Sequence, residues 1–331
     1  MQYYTRQITF PDFKISNGEV LNEPQATYTC YGDFNNSKPR ALIFHGFSSC
    51  SKLHTWWDKF NFQEMLQHFN IICINSLSSS YGTTGPESIN PKTLKPYFDT
   101  FPEISIQDTV DFAIHALKHL EINYLDLVFG CSLGGMQALD MYLRYPEIAK
   151  KFISVAGVPV PSMTKLTNLA QSTLIDNAIS LAQSREEIEN ALGASRFFFR
   201  LSCTSERALT ILDEKCQTDG VYSSLLDYFV QDNEKFKKEF SPYSNSLILK
   251  MIANFEVDID KHNAKTEAKI VIVSIDDDIF TPEKNVRLVY ENLKHCYHNV
   301  VYKTFMTSFG HEAWIVDGKR FYEFIKEDLY M

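Results

Sequence analysis

The stretch Val128-Phe129-Gly130-Cys131-Ser132-Leu133-Gly134-Gly135-Met136 constrains this chain more than any other. Tyr124 to Phe129, just before and into it, is a short apolar run of the kind a buried strand makes. Gln137 to Tyr145, just after it, reads as a helix closed by Pro146. A serine in Gly-x-Ser-x-Gly between strand and helix sits on a very sharp turn. Side chains two positions either way would collide there, which accounts for Gly130 and Gly134. The turn lifts the Ser132 hydroxyl above the strand end and sets the Leu133 N–H at a helix start, where unpaired amides and the helix dipole favour negative charge. The same pattern also fits a glycine-rich turn without chemistry, and only its context separates the two.

That context is a repeated strand–helix alternation. Gln7 to Phe13 and Ala26 to Gly32 alternate as strands, with Asn17-Gly18 as the turn between them. Ala41 to Phe44 and Asn70 to Asn75 are continuous apolar runs expected of strands buried on both faces. The first ends in the loop His45-Gly46-Phe47-Ser48-Ser49, at the carboxyl end of its strand, where open parallel sheets carry their sites. Ser76 to Pro102 is a long irregular segment, of a length that is usually functional or disordered. Ser105 with Asp108 starts a helix whose apolar stripe is Val110, Ala113, Ile114, Leu117 and Leu120. Lys151 to Ala156 is a further strand. From about 160 to 257 strand-like runs vanish and helix-forming stretches such as Thr173 to Glu189 and Ser205 to Lys215 take over. Ala268 to Ser274 resumes the buried-strand pattern, followed by a helix (Glu283 to Leu293), a strand (Asn299 to Phe305) and a closing helix (Glu312 to Leu329). The expected fold is α/β, a mostly parallel sheet flanked by helices, with residues 1–159 and 258–331 as the core and 160–257 as a helical lid inserted over it.

Composition excludes several function classes. The 331 residues carry a net charge of −9 and hold no Lys/Arg block, so nucleic acid and anionic membrane surfaces are not expected partners. The seven cysteines are odd in number and scattered without a C-x-x-C pair, suggesting neither a disulfide framework nor a zinc site. Met1 to Phe13 lacks the pattern of a signal peptide, and no apolar stretch is long enough to span a bilayer, so the expected setting is cytoplasmic.

A serine hydroxyl needs a base within hydrogen-bond reach, itself oriented by a third group. In this architecture the chain order is Ser, acid, His. The acid belongs after the strand that follows the lid, where Asp276, Asp277 and Asp278 stand together. Asp278 is preferred because the proline four residues on opens the next helix, and Asp277 is the alternative. The base belongs after the last strand, where His311 lies in Ser308-Phe309-Gly310-His311-Glu312. His115 and His119 are spaced for a shared metal, but no third ligand accompanies them and no metal is expected. His45 reads as structural. The expected oxyanion donors are the N–H groups of Leu133 and Phe47, each typically worth ~3 kcal/mol of transition-state stabilisation.

With these residues in place, the chain resembles the homoserine O-acetyltransferase family of α/β hydrolases from about Ala41 to Met331. The carrying segments are the His45 loop, Trp56-Trp57-Asp58, Asn75-Ser76-Leu77, Tyr81 to Pro91, and Gly130 to Ala138. Gly310-His311-Glu312 resembles the family's Gly-His-Asp, and Asp278 with Pro282 matches its acid loop. The resemblance implies that the serine takes an acetyl group from acetyl-CoA, or another acyl group from its acyl-CoA, as co-substrate, with no bound cofactor. A small alcohol then receives the acyl group. It also implies a lid with a tunnel to the serine, and a homodimer. Three departures stand out. Ser172 occupies the place of an arginine that holds the acceptor's carboxylate, near Asn168 at the start of that motif. Arg196, Arg200 and Arg207 are the candidates to replace it. Ser78-Ser79-Ser80 stands where Gly-Gly-Cys is usual. The lid is shorter and contains Phe197-Phe198-Phe199, which suits either an acyl pocket or plain core packing. Two alternatives accompany the acyltransferase reading: an esterase or other serine hydrolase using the same residues on a small ester, and a non-catalytic binding protein on the same fold.

Overall fold

The computed structural model describes residues 2–262 and 266–330. Its centre is an eight-stranded sheet: β1 (Tyr3–Thr9), β2 (Gln25–Tyr31), β3 (Arg40–Phe44), β4 (Asn70–Ile74), β5 (Leu125–Cys131), β6 (Ala149–Val155), β7 (Lys269–Ile275) and β8 (Val300–Phe305). The spatial order is β1-β2-β4-β3-β5-β6-β7-β8. β2 runs antiparallel to both β1 and β4, and the other neighbours pair in parallel.

The continuous apolar runs follow from burial on both faces. Leu42, Phe44, Ile72, Ile74, Val128 and Ile272 point to one side, under α2 (Ile106–His119), α3 (Leu133–Arg144) and α9 (Glu283–Cys296). Ala41, Ile43, Ile71, Leu127, Phe129, Ile153 and Val273 point to the other. That side is covered by the Trp57–Phe60 segment, α1 (Phe62–His68) and α11 (Gly318–Tyr330). In register, Phe44 lies beside Gly130, and Val155 beside both Cys131 and Val273. The carboxyl ends of β3, β5, β6 and β7 therefore finish at one level. The chain passes from β3 outward to β4 and returns to the other side of β3 as β5, so the loops after β3 and β5 flank a topological switch point.

Between β6 and β7, which pair side by side, the described residues form five α-helices: α4 (Ser162–Leu181), α5 (Arg185–Cys203), α6 (Glu206–Asp219), α7 (Leu225–Glu239) and α8 (Pro242–Ala253). Ser184, Ser205, Ser224 and Ser241 cap α5 to α8, each hydroxyl accepting from the N–H three residues on. A buried polar ladder joins α4, α5 and α8: Ser195 Oγ to Gln171, the Asn245 amide to Ser195, and Ser172 Oγ to Ser246, itself bonded to Asp176.

Four expected boundaries differ. The first strand is Tyr3–Thr9 rather than Gln7 to Phe13, and the Asn17-Gly18 turn closes a separate hairpin of Asp12–Lys14 on Val20–Asn22. Thr173 to Glu189 is not one helix, because the chain leaves α4 at Ala182 and restarts under the Ser184 cap. The closing helix is interrupted: a turn of Gly310–Glu312 and the short helix α10 (Ala313–Val316) precede α11, with Gly318 against the Lys59 backbone. The irregular Ser76 to Pro102 segment contains a two-residue ladder of Ile89–Asn90 on Lys95–Pro96.

Candidate active site

β5 ends at Cys131 and α3 begins at Leu133, leaving Ser132 alone on the turn with φ 56° and ψ −122°, a conformation that costs a non-glycine residue of order 1–3 kcal/mol. The surroundings hold it there. The Ser132 N–H donates to Val155 O at 2.8 Å, and the Ser154 hydroxyl donates to Gly135 O at 2.8 Å. A methyl group on Gly130 would overlap Gly134 O, and one on Gly134 would overlap Phe44 O. These glycines are required by close backbone approach.

The acid and the base arrive from the loops after β7 and β8. His311 Nε2 lies 2.7 Å from Ser132 Oγ, and His311 Nδ1 lies 2.6 Å from Asp278 Oδ2. A carboxylate can only accept, so Nδ1 carries the proton and Nε2 is free to accept from the serine. Asp278 is itself clamped by the N–H groups of Phe280 and Thr281 on Oδ1, and by the Thr281 hydroxyl on Oδ2 at 2.7 Å. All three side chains are enclosed: Ser132 is 6%, Asp278 4% and His311 2% exposed.

The three adjacent aspartates have separate partners. Asp276 accepts from the Thr307 N–H at 2.7 Å, and Asp277 turns to the lid, bonded by the Ser205 hydroxyl with Arg207 nearby. Only Asp278 meets the histidine. Cys131, next to the serine, points into the opposite core face, where burial pushes its thiol well above the ordinary range.

The Leu133 and Phe47 N–H groups have no acceptor among the described residues. The loop bearing Phe47 is braced from several sides. His45 is buried, with Nδ1 donating to Gly46 O at 2.8 Å and Nε2 accepting from the Ser76 N–H at 3.0 Å; burial pushes its pKa down to about 4. The Tyr81 phenol donates to Ser48 O at 2.8 Å, and the Asn75 amide holds both Tyr81 O and the Ser51 N–H. Thr83 and Thr84 accept from the β2 N–H groups of Thr27 and Gln25. Ser78 takes a positive φ of 70°, a conformation natural to glycine.

The inserted helices meet the site at several points, α5 among them. The Phe199 ring packs on Phe47 at 4.8 Å and on Phe280 at 5.5 Å, and Phe280 lies 4.7 Å from the His311 ring. Of the other two phenylalanines, Phe197 packs on Phe229 and Phe198 is exposed. Arg200 pairs with Glu312, the residue after His311, and with the Tyr228 hydroxyl at 3.1 Å. Arg207 is exposed, and Ser172 is spent on Ser246. Asn168 is buried, and neither end of its amide has a partner among the described residues. His115 and His119 pack edgewise on Phe10.

The alpha/beta hydrolase fold model matches residues 39–313. The chain belongs to the alpha/beta hydrolase fold family. Within it, this alpha/beta hydrolase is 28% identical to a homoserine O-acetyltransferase of Methanococcus vannielii, over 95% of its own length and 70% of the relative's. It is 27% identical to that of Pasteurella multocida over 92% of both chains. Among solved structures, esterase E22 superposes with a TM-score of 0.86 at 22% identity, covering 99% of this chain and 100% of that one. A homoserine O-acetyltransferase from Bacillus anthracis superposes with a TM-score of 0.85 at 20% identity, covering 100% and 99%. The resemblance read from Ala41 onward thus extends over nearly the whole chain. No helix among the described residues is long and apolar enough to cross a membrane.

Thr281 and Tyr81 are the positioning residues that sequence reasoning did not single out. The signal for Thr281 was its place between Asp278 and Pro282, and for Tyr81 the unusual Tyr81 to Pro91 stretch.

Proposed function

We propose that this alpha/beta hydrolase transfers an acyl group through a covalent ester on Ser132, from an acyl-CoA to a small alcohol. The observation that carries the reading is the unbroken chain Asp278–His311–Ser132 at 2.6 and 2.7 Å, on a strained turn. His311 Nε2 takes the Ser132 proton as the hydroxyl attacks the acyl carbonyl. The oxyanion is received by the N–H groups of Leu133 and Phe47, and His311 returns the proton to the departing CoA thiol. The alcohol then gives its proton to His311 and attacks the ester, and His311 passes that proton to the departing Ser132 oxygen, restoring the free hydroxyl.

Enclosure favours transfer over hydrolysis, because an acyl-enzyme persists for an alcohol only where water is kept out. The curated relatives named as homoserine O-acetyltransferases point the same way. The alternative is an esterase with the same residues, supported by the likeness in fold to esterase E22. The deciding experiment incubates the purified protein with acetyl-CoA and follows free thiol with and without homoserine or another small alcohol. The expected outcome is CoA release that depends on the alcohol, with an acetyl ester as product. Equal release in buffer alone, or cleavage of para-nitrophenyl acetate with none of acetyl-CoA, favours the esterase.

A further inference from the structure

The last turn of α5 and the corner that follows it touch all three loops of the candidate site. Phe199 packs on Phe47 in the loop after β3 and on Phe280 in the loop after β7. The Ser205 hydroxyl donates to Asp277, the neighbour of Asp278. In the loop after β8, both neighbours of His311 are engaged. Gly310, at φ 63°, lies so close to the corner that a methyl group on it would stand 2.9 Å from Cys203 O and 3.0 Å from Ser205 N. Glu312 accepts from Arg200 Nη1.

Arg200 is itself fixed from behind by α7. Its Nη2 donates to the Tyr228 hydroxyl at 3.1 Å, its Nε lies 3.8 Å from Asp232, and its guanidinium stands 5.9 Å from the centre of the Phe229 ring. An ion pair this enclosed gains little net stability, because desolvation of both charges offsets their attraction. What the planar guanidinium does supply is a fixed direction for each of its donors. His311 needs such a fixed frame. The bond from Nδ1 to Asp278 holds one point of the imidazole, and the ring can swing about it. Whether Nε2 meets Ser132 Oγ then depends on where the single turn Gly310–Glu312 carries the His311 backbone.

We infer that Arg200 is a positioning residue for His311: by gripping Glu312 against α7 it fixes the turn that holds Nε2 within reach of Ser132. Docking of the inserted helices is thereby a condition of catalysis as well as a cover over the site. This rests on the reading of Ser132 as nucleophile given above, whichever donor and acceptor it serves.

The charged and titratable groups that face Glu312 are Arg200, Arg196 (stacked over the Phe236 ring) and Cys203 on α5, Tyr228 on α7 with Asp232 behind Arg200, and His311 beside it. Burial pushes the Glu312 carboxyl up, but Arg200, Arg196 and His311 together hold it below the ordinary range. Removing either partner of the pair leaves a net charge beside the imidazole, negative without Arg200 and positive without Glu312.

The test follows turnover of para-nitrophenyl acetate with a small alcohol present, and labelling of Ser132 by a fluorophosphonate; both need only the serine and its base. Arg200→Gln is expected to lower kcat and the labelling rate by roughly tenfold to a hundredfold with KM nearly unchanged. The acid limb of its kcat/KM profile moves to higher pH, and that of Glu312→Gln, also slower, moves to lower pH. Arg200→Lys recovers part of the rate and keeps the wild-type limb. A role confined to packing the inserted helices would change stability or KM and leave kcat and the limb alone, and that result overturns the inference. So does wild-type kcat in either single variant. Should Arg200→Gln fail to fold, Glu312→Gln decides: a lowered kcat with the limb displaced downward supports the inference, and wild-type kcat overturns it. A wild-type protein whose Ser132 reacts with neither probe overturns the nucleophile reading and this inference with it. Reaction at a rate the variants share overturns this inference alone.

Discussion

Asp277 and Asp278 are chemically identical neighbours, and their partners alone separate them. Asp278 orients the imidazole, so Asp278→Asn should lower kcat by roughly 10⁴-fold by favouring the wrong tautomer. Asp277→Asn loosens only a lid contact, and kcat should fall by less than about tenfold. Steady-state rates of the two variants check this, and the reverse order would contradict the assignment. His45 makes a different prediction. Its folded pKa of about 4 lies below its ordinary 6.5 because the ring is buried. Its contribution is therefore fully present above about pH 6.5 and is lost as pH falls toward 4, to a total of roughly 3 kcal/mol. Melting curves from pH 7 to 4 should show this loss. His45→Gln should be less stable at pH 7 and less steep on acidification.

At the level of elements, the turn after β5 and the α5 corner behave oppositely. The turn has no room: Gly134→Ala drives a methyl into the Phe44 carbonyl and should cost more than about 3 kcal/mol or abolish folding, read by denaturant titration. The α5 corner is held to the His311 loop chiefly by Arg200 and Glu312. Glu312→Gln leaves the buried Arg200 guanidinium with only the more distant Asp232 as a charge partner, at 3.8 Å, and should cost on the order of 3 kcal/mol. Unchanged stability in that variant would show that the pair does not tie lid to core. These elements were unequally legible in the sequence. The strands around Ser132 were readable because burial on both faces writes an unbroken apolar run, and Ser105 with Asp108 formed the expected capping box. The break at Ala182 to Ser184 was hidden by helix-forming residues on either side, although Ser184 with Glu187 carries a capping signal. The first strand was misplaced because Tyr3–Thr9 sits exposed at the sheet edge, where no alternation of burial marks it.

Across the whole molecule, the candidate site is assembled from four strand ends, with the inserted helices packed against it. Ser132, Asp278 and His311 were legible because chain order and turn residues carry them. The pairing of Arg200 with Glu312, the stacking of Arg196 over Phe236 and the bracing by Tyr81 were not, since they join segments distant in sequence and depend on side-chain direction alone. The same assembly encloses the serine, and the proposed preference for an alcohol over water as acyl acceptor rests on that enclosure. The most direct test is the intact mass of the protein after brief exposure to acetyl-CoA, with Ser132→Ala alongside and the modified peptide mapped. The expected result is an acetyl-sized increase on the peptide containing Ser132, absent from the variant and discharged by an added small alcohol. Acetylation that persists in Ser132→Ala, or CoA-dependent turnover by that variant, would contradict a covalent ester on Ser132.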